Sequence, residues 1–156
     1  MKTFKSYLDE EGPVGDGDCF SVAGRAMIDM TEAQEQYNMK LVHAFVYGQG
    51  PLKGRRFEHA WNEQGNTVID NSNGQQTVMK KKQYYKLAGV EKKAGAYASY
   101  DKGKALGNML RHHNWGPWDL STMLGEKLPD DKRGIGKKKM RIGRKELQQI
   151  NIASKL

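Results

Sequence analysis

One cysteine in 156 residues is the most telling scarcity of this sequence. A lone cysteine excludes an intramolecular disulfide and a cysteine-built metal cluster, and fits a reducing compartment. Long hydrophobic runs are missing as well. No stretch approaches the ~18–20 apolar residues that a membrane span needs, so no membrane partner is expected. The first residues lack the apolar core of a secretory signal, so export by a signal peptide is not expected either. Hydrophobic residues make up 37% of the chain, against 18 glycines, which points to a modest core and many loops. The length suits one domain, since single cores run to about 100–150 residues.

Charge of one sign is also absent from most of the chain. The formal net charge is +8 and the pI about 9.5. From residue 132 onward there are nine basic side chains (Lys132, Arg133, Lys137, Lys138, Lys139, Arg141, Arg144, Lys145 and Lys155) and one acid, Glu146. Residues 1–131 therefore hold 17 basic and 17 acidic side chains and are neutral. The pI describes a tail, and it excludes reading the body as a basic nucleic-acid-binding domain.

What the chain does contain is a change of period. Phe4, Tyr7 and Leu8 share one helical face before the Gly12-Pro13 turn, so residues 1–12 form a short amphipathic segment. After the Gly15-Asp-Gly-Asp18 loop, Phe20, Ala23, Met27 and Met30 predict a helix from about Cys19, capped by Asp18 or Asp16. Thr31-Glu-Ala-Gln-Glu35 reads as a capping box opening a second helix. Leu41–Tyr47, Arg56–Asn62 and Asn66–Asp70 read as strands, the last two joined as a hairpin, with a turn at Asn71–Gly74. Thr77–Leu87 is expected to be helical and Ala94–Tyr100 to be a fourth strand. Asp101 caps a helix to His113, and a last helix starts near Arg144. The order helix, antiparallel sheet, helices is that of an α+β domain over residues 13–128, followed by a basic arm over 129–156.

Three residues in this order can carry chemistry. Cys19 stands at a predicted helix start, where aligned peptide dipoles and free N–H groups favour a thiolate. His59 lies on one strand of the hairpin and Asp70 at the end of the next, where the carboxylate can orient the imidazole. The imidazole would take the thiol proton, the thiolate would attack an acyl carbon, and the imidazolium would protonate the leaving group. The Cys19 N–H is a natural oxyanion donor. Asp70 is favoured over Asn71 and Asn73 as the orienter, because an anion better stabilises imidazolium, while Glu58 and Glu63 are expected to be solvated. The plain alternative is a small buried cysteine and a structural histidine.

Other groups are weaker candidates. His43 in the first strand reads as packed or half-exposed. His112 and His113 are adjacent on a helix, so they face apart and make a poor metal pair. No metal and no cofactor are expected. Trp115-Gly-Pro-Trp118 with Tyr84-Tyr85 reads as a packing cluster, and Lys80–Lys82 as a solvated charge run.

Cys19 at a helix start, His59-Ala-Trp61-Asn-Glu63 and then Asp70 resemble the transglutaminase-like branch of papain-like cysteine enzymes, over roughly Gly15 to Asn73. The resemblance implies Cys19 as nucleophile, His59 as base and Asp70 as orienter, packed as a helix on an antiparallel sheet. It also implies acyl-thioester chemistry at a protein or peptide amide: hydrolysis, deamidation or transfer. The first ten residues resemble the capsid-targeting leader of internal head proteins of T4-like phages, with Leu8-Asp9-Glu10 as the processing site. That likeness implies a phage protein found in the virion or the host cytoplasm. A different class remains open, a non-catalytic virion component. For the tail, Lys137, Lys138, Lys139, Arg141, Arg144 and Lys145 would contact DNA phosphates without sequence preference, or Leu147, Ile150 and Ile152 would dock on a neighbouring virion subunit. A solubilising tail is the bland alternative.

Overall fold

In the computed structural model of the chain, residues 18–48, 53–121 and 142–154 are described. The expected amphipathic segment and leader, the cap candidate Asp16, and Lys137, Lys138, Lys139 and Arg141 lie outside those residues. The element order is helix α1 (Cys19–Ile28), helix α2 (Glu32–Gln36), strands β1 (Lys40–Tyr47), β2 (Arg56–Gln64) and β3 (Thr67–Asp70), a 3-10 turn (Ser72–Gly74), strand β4 (Thr77–Lys80), helix α3 (Lys81–Ala88), strand β5 (Tyr97–Tyr100), and helices α4 (Lys102–His112) and α5 (Arg144–Ser154). The strands form one antiparallel sheet in the order β4-β3-β2-β1-β5. The chain is α+β, as its change of period predicts.

Local signals place most boundaries. Thr31 and Gln34 close the capping box, with the Gln34 N–H donating to Thr31 Oγ1 (3.2 Å) and the Thr31 N–H to Gln34 Oε1 (2.9 Å). Asp101 caps α4 by accepting from the Lys104 N–H at 2.8 Å. Asp18 stands at the N-cap of α1 but makes no side-chain capping bond there. The segment expected to be one helix over 77–87 divides instead. Thr77–Lys80 pairs with β3 from Asp70↔Thr77 to Thr67↔Lys80, and only Lys81–Ala88 is helical. Adjacent β-branched residues, Thr77 and Val78, favour the pleated strand over the first helical turn.

Strand β1 is buried from Leu41 to Val46, so the sheet is covered on both faces. Leu41 and Ala60 face a core with Ala23 and Met27 of α1, Leu106 and Met109 of α4, and Trp115. Val42, Ala44, Trp61 and Val68 face a second, smaller core completed by Phe57, Tyr84, Tyr85 and Tyr97. In α1, Gly24 allows the tightest approach: a Cβ there would lie 2.6 Å from Trp115 Cε3. The expected aromatic cluster is therefore two clusters, Trp115 and Trp118 on one face and Tyr84 and Tyr85 on the other. The C-terminal stripe also finds its place inside this domain. Ile150 is fully buried, Ile142 is buried, and Leu147 packs on the same core, so this part of the tail docks on its own domain.

Candidate active site

The register of the sheet builds the site. Cross-strand neighbours share a face, and β1 and β2 align Val42 with Trp61 and Ala44 with His59. His59, Trp61 and Glu63 therefore line the face that α3 covers, while Ala60 and Asn62 line the face of α1. Asn62 Nδ2 donates to the Ala23 carbonyl oxygen at 3.0 Å, fastening the middle of α1 to β2. Pairing of β2 with β3 ends at Asn62↔Ile69, and the 3-10 turn after Asp70 packs against α1. Although α1 covers the other face, its first residue, Cys19, comes near His59 where β2 runs on past its last pair with β3.

The three sequence candidates converge there. His59 Nε2 and Asp70 Oδ2 are 2.7 Å apart, with side chains 13% and 12% exposed. The Cys19 thiol is close enough to act on the titration of His59, both as a charge and as a hydrogen-bonding partner. With Nε2 committed to Asp70, Nδ1 is the nitrogen left for the thiol. Burial alone would push the imidazolium down. The Asp70 carboxylate and then Cys19 outweigh burial, and His59 is held well above its ordinary 6.5. For Asp70 burial again opposes the charge, and His59 and two bonds from Ser72 overcome it, so this carboxyl stays below its usual range. Cys19 is the first residue of α1, so its N–H has no intrahelical acceptor and is free in principle for an oxyanion.

Asp70 is fully engaged. Oδ1 accepts from the Ser72 hydroxyl (2.6 Å) and the Ser72 N–H (3.1 Å), and Oδ2 accepts from the Tyr84 hydroxyl (2.9 Å) besides His59. Neither Ser72 nor Tyr84 is legible as a site residue in the sequence. Glu63 corrects a second expectation, because it is 3% exposed rather than solvated. It accepts from Trp61 Nε1 at 2.9 Å and from the Tyr85 hydroxyl, and pairs with Lys81 at 3.2 Å. The alternation His59-x-Trp61-x-Glu63 already put Glu63 on the inward face, and that period is the signal that finds it. Glu58 is half-buried, so it too departs from the solvated expectation.

His43 is the other buried imidazole, fully inside the α1 face. Phe20, Tyr100 and Trp118 surround it, with ring centroids 4.9, 5.1 and 4.9 Å away. Neither ring nitrogen has a hydrogen-bond partner among the described residues, and burial lowers its pKa to about 3. His112 ends α4 and His113 caps it, and among the described residues no group of three or more His, Cys, Asp or Glu is placed to hold a metal ion. Arg144 and Lys145 are exposed at the start of α5. No helix among the described residues is long and apolar enough to cross a membrane. No protein-family model matches the chain, and neither a curated protein nor a solved structure is significantly similar to it.

Proposed function

We propose that this protein is a cysteine hydrolase or acyltransferase acting on a protein or peptide amide through Cys19, His59 and Asp70. The observation that carries the proposal is an imidazole held 2.7 Å from a largely buried carboxylate, with a helix-start thiol close enough to act on its titration. His59 takes the Cys19 proton, and the sulfur attacks the amide carbonyl carbon. The C–N bond then breaks as imidazolium passes the proton to the leaving nitrogen, which leaves a thioester on Cys19. Water attacking that thioester gives hydrolysis or deamidation, and an amine gives transfer. Asp70 fixes the tautomer with the proton on Nε2 and steadies imidazolium. The Cys19 N–H is the oxyanion donor. This arrangement supports a transglutaminase-like, papain-like assignment, and the resemblance of Met1–Glu10 to a phage head leader supports a phage origin, with virion or host cytoplasm as its location.

The test is alkylation of Cys19 by iodoacetamide at pH 6. A paired thiolate reacts there about 10–100 times faster than a free cysteine, and His59→Ala removes the advantage. Equal rates for the wild type and free cysteine would sink the proposal.

A further inference from the structure

On the footing of that triad, we infer that Tyr84 is a positioning residue of the same site, which sets how strongly Asp70 holds the proton on His59. The phenol comes from α3, packed on the face opposite α1, and donates to the very oxygen that accepts from His59: Oδ2 is 2.9 Å from the Tyr84 hydroxyl and 2.7 Å from His59 Nε2. Trp61 contacts both rings, its centroid 6.0 Å from His59 and 5.0 Å from Tyr84, so the two donors are held on one wall. Ser72 occupies the other carboxylate oxygen twice. A hydrogen bond donated to a carboxylate disperses its charge and lowers its affinity for a proton. The Tyr84 bond therefore weakens the pull of Asp70 on the imidazolium, while keeping Asp70 ionised and pointed at His59. Burial and then the Asp70 charge suppress ionisation of the phenol, so it remains a donor across the working range of pH.

The surrounding groups leave this role to Tyr84. Cys19 approaches from α1, His59 and Glu63 from β2, Asp70 from β3, and Lys81 and Tyr85 from α3. Glu63 already engages Lys81 and Tyr85, and Ser72 reaches only Oδ1. A base that must accept the thiol proton and later release it to a leaving nitrogen works best when its proton affinity is near the operating pH. Asp70 and Cys19 both push His59 up, and Tyr84 opposes that push without adding a charge.

The experiment is the pH profile of Cys19 alkylation, followed through its alkaline limb, for the wild type and Tyr84→Phe, with thermal melts as the check of folding. Removing the hydroxyl makes Asp70 a stronger partner, so the limb should move up by about half a pH unit. Ser72→Ala should move it in the same direction. A folded Tyr84→Phe protein with its limb unmoved, or moved down, overturns the role of Tyr84 and leaves the triad standing. A wild type without an activated thiol overturns the triad itself, and with it this role. Should the Phe variant not fold, NMR of the wild type decides. A Tyr84 hydroxyl proton that exchanges slowly and shifts with the His59 titration supports the role, and one in free exchange overturns it.

Discussion

His43 and His59 stand on neighbouring strands, one residue apart in register, since Ala44 pairs with His59 and His43 with Ala60. That single step puts them on opposite faces of the same sheet, and their fates diverge completely. His59 meets a carboxylate and a thiol, and its proton affinity rises. His43 meets three aromatic rings and, among the described residues, no hydrogen-bond partner, and its pKa falls to about 3. His43 is fully buried and His59 largely so, and the more buried ring is the unpartnered one, so burial does not make a histidine reactive. What distinguishes them is whether polar groups aim at the ring nitrogens. Holding His43 without partners costs about 1–3 kcal/mol, whereas at His59 the same desolvation is offset by an ion pair.

The largest effect is expected at the partnered ring: Cys19→Ser should lower amide turnover by about a thousandfold or more while leaving the thermal midpoint within a few degrees, and His59→Ala should lower turnover as much but also lower the midpoint, because it strands the Asp70 carboxylate. Next comes Asp70→Asn. An amide at that place carries no charge: its oxygen can still accept from Nε2–H, but the imidazolium loses the stabilisation of the ion pair. Turnover should fall about a hundredfold or more, and His59 should titrate at lower pH by NMR.

On the other face, Gly116 has φ +110° and a Cβ there would lie 2.5 Å from His43 Cε1. Gly116→Ala should cost about 2–4 kcal/mol in denaturant unfolding through strain and overpacking, with the alkylation rate per folded molecule little changed. The smallest effect at neutral pH is His43→Leu, which removes the unpartnered nitrogens and should change stability by about 1 kcal/mol or less. In acid the difference grows. A histidine with a lowered folded pKa loses stability as pH falls from about 6.5 toward 3, so the Leu variant should resist acid unfolding better than the wild type. The His59–Asp70 pair has its own window. The Asp70 share is present above the ordinary carboxylate value and lost as pH falls through the lowered one. The His59 share is complete below 6.5 and lost as pH rises through the raised value.

How much of this was legible in the sequence follows the range of each signal. Cys19 after a glycine- and aspartate-rich loop, the hairpin with His59, and Asp70 at its end are local patterns, and the fold brings those three together. The Asp101 cap and the Thr31 capping box are equally local. Tyr84 and Ser72 were not legible, because their roles depend on how α3 and the turn after β3 settle around Asp70. Glu63 was hidden behind the habit of placing carboxylates in water, though its alternation with Trp61 pointed inward. The apolar stripe of the C-terminal helix was legible, but the surface it packs on was not. Leu147 and Ile150 place it on the core, while Arg144 and Lys145 stay at the surface.

The most direct test of the central claim is an NMR titration of the two imidazoles in one sample. His59 should remain imidazolium well above pH 6.5, and drop when Asp70→Asn removes its partner, while His43 stays neutral down to about pH 3. Two histidines titrating together near 6.5 would contradict the account, because the sheet would then have made no difference between its faces.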